Sequence, residues 1–209
     1  MKKNMILKVA AVITMLTLAL VITVVPGTAL AAITGVTITP GVGQSYTIPV
    51  GGTVDLTATL SGTPDTLPVA YTWAAPTGGS NISFSATDAA TTTVTGVTPG
   101  TTATVQVTAN ETGVGSFNST AITITVTAMT ISDTAITLDG GSSKTLTVGN
   151  VASGSTTNWT SSRDAVATVN SSGLVQAVGA GTAIITATNG TQSKTCTVTV
   201  NPIITINPT

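Results

Sequence analysis

Apolar and polar residues alternate along most of this chain with a period of two. Every second residue is apolar in the runs VDLTATL (54–60), ATVQVTA (103–109) and ITITV (122–126). This period is typical of strands with one buried face. Turn signals such as Thr98-Pro99-Gly100 separate the runs. The pattern therefore predicts an all-β protein.

The two halves of the chain carry the same signals in the same order, which indicates an internal repeat. The matching pieces are YTW (71–73) with TNW (157–159), GVTPGT (96–101) with AVGAGT (177–182), and ITITV (122–126) with CTVTV (196–200). We predict two copies of one module, at 32–127 and 128–201, and a tail at 202–209. Because the junction has no Pro or Ser/Gly linker, we expect little hinge freedom between the copies.

The second copy resembles the bacterial immunoglobulin-like domain, group 2. The resemblance rests on WTSS (159–162), VATV (166–169), GLV (173–175), VGAGTA (178–183) and CTVTV (196–200). The first copy is similar to the family more loosely, since it lacks the VATV and GLV pieces. The resemblance implies two tandem Ig-like β-sandwiches in a secreted or surface protein, acting as a spacer or an adhesive module. It implies no catalytic or ligand-binding residue.

The first 31 residues have the pattern of a secretory signal peptide. Three lysines precede an uncharged run from Val9 to Val25, and Ala29 and Ala31 are the small residues that a signal peptidase requires. The alternative is an uncleaved membrane anchor, because the apolar run is only slightly short of a bilayer span. Pro26 and Gly27 interrupt the helix before the site and favour cleavage after Ala31. We therefore expect a secreted or cell-surface protein that has no membrane contact after cleavage.

Charge and composition exclude several classes of function. After residue 31 the sequence has seven acidic and three basic residues, so no basic patch exists for nucleic acid or an anionic membrane. The chain has no histidine, which excludes Ser/His/Asp and Cys/His nucleophiles and His-based metal sites. Asp133 and Asp139 could contribute to a calcium site, but no Asp-x-Asp-x-Asp run accompanies them. We expect no enzymatic activity, cofactor or metal.

The single cysteine has two interpretations. Cys196 shares one face of its strand with Val198 and Val200, which predicts a small core residue. The alternative for a lone thiol in a secreted chain is an intermolecular cross-link or a reactive group. The alternation favours the core position.

Candidate binding residues are few, because most aromatic residues fall on the apolar faces of strands. Those predicted to be core are Tyr71, Trp73, Phe84 and Trp159. Val114 and Phe117 are different, since both lie in a predicted hairpin tip at 110–120. Loop tips on a rigid scaffold are common binding sites. This tip is the candidate contact surface for a surface protein or a polysaccharide, and the alternative, which is favoured, is that the tip packs locally against its own sandwich.

The terminal strands give a further alternative, which is self-association. The segments 33–39 and 203–206 are uncharged and strand-prone. An exposed strand of this kind can pair with the sheet edge of another molecule. The alternative function is therefore a filament subunit that assembles by addition of a terminal strand.

Overall fold

A computed structural model describes residues 32–41, 44–64 and 68–203. These residues are mostly in strands, with one 3-10 turn at Gly79–Asn81, so the predicted all-β class is confirmed. The predicted signal peptide at 1–31 and the end of the predicted tail at 204–209 lie outside the described residues. We call residues 32–127 the first half and residues 128–203 the second half.

The first half contains two sheets that face each other. Its strands are β1 (Ile33–Thr39), β2 (Ser45–Pro49), β3 (Thr53–Gly62), β4 (Val69–Thr77), β5 (Ile82–Phe84), β6 (Thr91–Gly96), β7 (Thr101–Glu111), β8 (Gly115–Asn118) and β9 (Ile122–Thr127). One sheet has the order β1-β3-β6-β5, and the other has the order β2-β9-β7-β4, with β8 paired to β7. Alternate side chains from the two sheets meet in one core, which includes Leu56, Val94, Val105 and Ile124.

The second half has its own sheets. Its strands are β10 (Thr130–Ile131), β11 (Ala135–Asp139), β12 (Ser143–Thr145), β13 (Val148–Gly149), β14 (Asn158–Ser161), β15 (Ala167–Val169), β16 (Leu174–Ala177), β17 (Gly181–Asn189) and β18 (Gln192–Asn201). The sheets have the orders β11-β18-β17-β14, β12-β16-β15 and β10-β13. Ala167, Val175, Ile185 and Val198 belong to a separate core.

The repeat in the sequence is a repeat in topology. The order β2-β9-β7-β4 in the first half corresponds to β11-β18-β17-β14 in the second. In each half the first strand of that sheet runs parallel to the last strand of the half, β2 with β9 and β11 with β18, whereas the other pairs are antiparallel. The two tryptophans lie on the corresponding strands β4 and β14.

The two halves have separate sheets, but they are not separate compact units. From Ala32 onward the chain forms one compact unit, while no described sheet combines strands from both halves. The boundary between residues 127 and 128 therefore stays a prediction.

The connector between β9 and β10 is short and held by both halves. The Met129 side chain is fully buried, and its backbone N–H donates to Gln192 Oε1 at 2.8 Å. The carbonyl of Ala128 accepts from Asn150 Nδ2 at 3.2 Å. On the other side, Thr127 Oγ1 donates to the carbonyl of Ile48 at 3.4 Å. The connector is thus tied by hydrogen bonds rather than free in solvent.

Candidate functional site

The predicted loop at 110–120 is mostly a regular hairpin, and the prediction of a long tip was wrong. Strand β7 extends through Glu111 and β8 begins at Gly115, so only residues 112–114 form the turn. Polar cross-strand pairs extend the ladder, because Asn110 Nδ2 donates to Ser116 Oγ at 2.9 Å. Such pairs stabilise a hairpin beyond its backbone bonds. The segment is therefore a short hairpin that extends the sheet.

The structure places the two predicted contact residues in different surroundings. Val114 lies in the turn and is 42% exposed. Phe117 is opposite the buried Ala109 in the register, and it packs half-buried against the first core. Directly opposite residues share a face of the sheet, so Phe117 lies on the core-facing side of the hairpin. Val114 is the exposed apolar side chain of this turn, and its contact with a partner stays a prediction.

A charged residue next to the turn of the same hairpin was missed by the sequence analysis. Glu111 is completely buried, and its Oε2 accepts the backbone N–H of Ile33 at 2.8 Å. The sequence contained a signal for this, since Glu111 continues the alternation of Ala103, Val105 and Val107 on the buried face. The hairpin therefore carries a carboxylate into the interior beside the first described strand.

The two tryptophans differ in burial. Trp73 is 2% exposed, as predicted, and its Nε1 donates to the carbonyl of Ala89 at 2.8 Å. Trp159 is only half-buried against the second core. It lines an open groove of about 290 Å³ with Thr160, Ser161, Asp164 and Val169. The prediction that Trp159 is a core residue is therefore true of part of its ring only. A partly exposed aromatic beside hydroxyl and carboxylate groups is a second candidate contact surface.

Cys196 is a core residue, as its strand pattern predicted. Its side chain is fully buried, and Sγ lies 3.8 Å from the carbonyl oxygen of Thr197. Burial raises the pKa of the Cys196 thiol above its ordinary value, and the nearby Asp133 carboxylate adds to this effect. A buried thiol with a raised pKa is a poor nucleophile at neutral pH.

Asp133 and Asp139, two acidic residues of the second half, have local partners. Lys144 Nζ lies 2.8 Å from Asp133 Oδ1, and Asp133 Oδ2 accepts from Ser132 Oγ at 3.0 Å. The hydrogen bond from Lys144 holds the pKa of Asp133 below its usual value. Asp139 Oδ1 accepts from Asn201 Nδ2 at 2.9 Å. Among the described residues, no group of three or more His, Cys, Asp or Glu side chains could hold a metal ion.

Comparison with solved structures gives similar chains at low identity. The surface layer protein SbsC, domains 1–6, is 18% identical over 85% of this chain and 29% of that chain, with a TM-score of 0.42. A tandem from titin is 15% identical over 80% of this chain and 66% of that chain, with a TM-score of 0.42. The chain thus spans less than a third of the length of the SbsC structure. None of the curated proteins matches it.

Within the described ranges, no helix has the length and apolar character that a membrane span requires. The comparison with protein families gives a match to the bacterial Ig-like domain (group 2) over residues 125–200. This range covers β10 to β17 and β18 as far as Val200, and it contains every motif of the predicted resemblance. The segment 125–200 of this chain belongs to the bacterial Ig-like domains of group 2.

Proposed function

We propose that this chain is a non-enzymatic, structural Ig-like module of a secreted or cell-surface protein, and that it acts as a spacer with an adhesive tip. The observation that carries the proposal is the connector. Met129 is fully buried, and both sides of residues 127–129 are hydrogen-bonded to strands or loops. A spacer must transmit orientation from one module to the next, and a tied connector limits the loss of orientation that a flexible linker allows.

Nuclear magnetic resonance relaxation tests the spacer role directly. We expect the two halves of the chain starting at Ala32 to have the same rotational correlation time. Insertion of Gly-Gly-Ser between Thr127 and Ala128 should uncouple the two halves, so that their rotational correlation times differ from each other and both become shorter. The same insertion after Gly113 is the matched control, because it lengthens an exposed turn and leaves the connector intact. Different correlation times in the unmodified chain would contradict a spacer.

The adhesive role is assigned to the hairpin tip, since Val114 is the exposed apolar residue of the turn at 112–114. Binding of the labelled mature protein to bacterial cells and to immobilised polysaccharides should fall with V114S. The control is V97S, because Val97 is also on the first half and is 47% exposed. Equal binding by the two variants argues against the tip. Fractionation of an expressing bacterium into cytoplasm, envelope and medium tests the localisation.

A filament is the second candidate, and the position of β1 favours it. This strand lies at the edge of its sheet and pairs with β3 in the order β1-β3-β6-β5. At the other end of the chain Ile203 is 70% exposed. If the tail adds a strand to a neighbouring molecule, the mature chain should show a concentration-dependent mass that a chain ending at Asn201 lacks. Monomeric mass for both chains at high concentration excludes this candidate.

A further inference from the structure

The side of the second half that carries Trp159 lies between two edge strands. β14 is the last strand in the order β11-β18-β17-β14, and β15 is the last in the order β12-β16-β15. Trp159 on β14 and Val169 on β15 are both half-buried, and both line the open groove of about 290 Å³. Ligand pockets usually have volumes of about 300–1,000 Å³. The groove therefore has room for a small ligand or for one unit of a polymer.

The Trp159 indole has a hydrogen-bond donor without a partner among the described residues. In the first half the equivalent atom, Trp73 Nε1, donates to the carbonyl of Ala89. No described residue accepts a hydrogen bond from Trp159 Nε1, whereas every buried side-chain nitrogen or oxygen atom in this part of the chain has a partner. Nε1 of Trp159 is therefore accessible to solvent. The half-buried indole can offer a bound molecule both an apolar surface and a donor.

The turn 163–166 forms the polar wall of the groove and is fixed by hydrogen bonds. The backbone N–H groups of Val166 and Ala167 both donate to the carbonyl of Arg163 at 3.0 Å. Ser161 Oγ donates to the carbonyl of Ala167 at 2.6 Å and accepts from the backbone N–H of Arg163 at 3.1 Å. The wall is thus organised before any ligand binds, which reduces the entropy that binding costs.

Two polar side chains of the groove are available to a ligand. Asp164 and Thr160 are exposed and line the groove. Neither side chain has a hydrogen bond to another described residue, and the ion pair of the described residues lies elsewhere, between Lys144 and Asp133. A carboxylate accepts hydrogen bonds, and a threonine hydroxyl both donates and accepts them. A ligand with several hydroxyl groups around an apolar surface matches these groups and the indole.

We propose that this groove binds one β-linked, gluco-configured sugar unit of a neutral polysaccharide. Such a ring has equatorial hydroxyl groups at its rim and axial C–H groups on its faces. One face packs on the apolar indole of Trp159, one rim oxygen accepts from Nε1, and one rim hydroxyl donates to Asp164. An acidic sugar is disfavoured, because Asp164 repels its carboxylate. A quaternary ammonium ligand is also disfavoured, since such ligands bind in cages of several aromatic rings.

The site is separate from the hairpin turn at 112–114 and does not rest on the adhesive role of that turn. A magnetic resonance titration of the chain starting at Ala32 tests it, because the two tryptophans of the sequence give two indole N–H signals. Cellopentaose or chitopentaose, which consist of β-linked glucose and N-acetylglucosamine units, should shift the Trp159 signal and leave the Trp73 signal unchanged. Sorbitol is the control ligand, since it has hydroxyl groups on an acyclic chain without a rigid apolar face, and it should shift neither signal.

A variant of the polar wall makes the test independent of the tryptophan, whose replacement alters the core. D164A should raise the dissociation constant about 10-fold, the size of one lost hydrogen bond to a charged group. The matched control is D88A, which removes an exposed carboxylate from the loop beside Trp73 and should bind like the wild type.

Three results would overturn the inference. The first is the absence of a Trp159 shift with either oligosaccharide at about 10 mM, where a millimolar dissociation constant is detectable. The second is equal affinity of D164A and the wild type, or an equal shift of the Trp73 signal. The third is a Trp159 shift with choline chloride and with neither oligosaccharide, which would assign the groove to a cationic ligand. None of these results bears on adhesion by the hairpin, because the measured signal belongs to Trp159.

Discussion

The two halves place equivalent tryptophans in different environments. Trp73 on β4 is 2% exposed, and Trp159 on β14 is half-buried beside an open groove. Both strands occupy the same end position of a four-strand path, after β7 and β17 respectively. The position of the tryptophan strand in its sheet is therefore the same in both halves, and the difference in burial arises elsewhere.

The difference lies in the loop that covers each ring. In the first half the loop 85–90 between β5 and β6 crosses Trp73, whose indole N–H donates to Ala89 and whose backbone N–H donates to Thr87 at 2.8 Å. In the second half the shorter loop 170–173 between β15 and β16 touches Trp159 through Gly173. A Cβ at Gly173, which has φ of +79°, would lie 2.9 Å from the ring carbon Cζ2.

The burial of these two tryptophans therefore depends on the loop that packs over each ring. The longer loop 85–90 covers the Trp73 ring and supplies the carbonyl of Ala89 as an acceptor. The shorter loop 170–173 contacts the Trp159 ring through Gly173 and leaves part of the ring exposed. The uncovered part of the Trp159 ring borders a groove in which a ligand can bind. In the first half the loop 85–90 covers the corresponding side of Trp73.

The largest expected effect is the loss of Trp73. W73A should lower the free energy of unfolding by about 3 to 5 kcal/mol, because it leaves a large cavity and an unpaired carbonyl at Ala89. Urea unfolding followed by circular dichroism measures the loss, and Trp159 fluorescence reports whether the second half unfolds at the same denaturant concentration. W73F keeps most of the ring volume and should cost less. A loss below about 1 kcal/mol for W73A would mean that the loop 85–90 does not cover the ring.

W159A should cost less, about 2 to 3 kcal/mol, because part of the ring remains in water in the native state. The same unfolding measurement, followed by Trp73 fluorescence and circular dichroism, gives the difference between the two variants. Equal losses for W73A and W159A would remove the distinction between a covered and an open tryptophan.

Much of the fold could be predicted because the strands alternate so regularly. The faces of β7 and β9 and the core position of Cys196 follow from the spacing of apolar residues, and the duplication follows from matching motifs in the two halves. The exposure of Trp159 could not be predicted, since alternation defines the face of a strand but not what the opposite loop covers. That depends on tertiary contacts, here with Gly173.

The candidate site was predicted less well than the fold. The run NETGVGSFNST contains many turn residues, and these predicted a long loop, whereas cross-strand hydrogen bonds extend the ladder through Glu111 and from Gly115. A glutamate is a poor candidate for a buried position, so the alternation was not followed beyond Ala109. At Glu111 the alternation of β7 predicts the buried face correctly, whereas the charged residue type predicts an exposed position.

A smaller effect is expected from the second core. C196S should lower the free energy of unfolding by about 1 to 2 kcal/mol, because it buries a hydroxyl group among apolar side chains. Chemical unfolding measures this loss, and C196A separates the polarity of the serine from its size. In native wild-type protein a thiol reagent should label Cys196 slowly, and the rate should rise sharply in denaturant. Rapid labelling without denaturant would show that the thiol is accessible.

The smallest effect concerns charge, the other respect in which the halves differ. The second half has a side-chain ion pair, Lys144 with Asp133, and the hydrogen bond from Lys144 lowers the pKa of Asp133. A carboxyl group whose pKa is lower in the folded state contributes stability above its ordinary pKa of about 4, and this contribution is lost as the pH falls through the folded value.

K144Q should therefore move the pKa of Asp133 upward in a carboxyl-detected magnetic resonance titration and reduce the acid-side slope of stability. The pair is exposed, so both changes should be small and should shrink at high salt. K194Q, which also removes a lysine of the second half, is the control and should leave the titration of Asp133 unchanged. If K194Q shifts Asp133 as much as K144Q does, the general charge of the half controls this carboxylate rather than the 2.8 Å contact. The first half, whose sequence lacks Lys and Arg, would then differ from the second in net charge alone and not in having a specific pair.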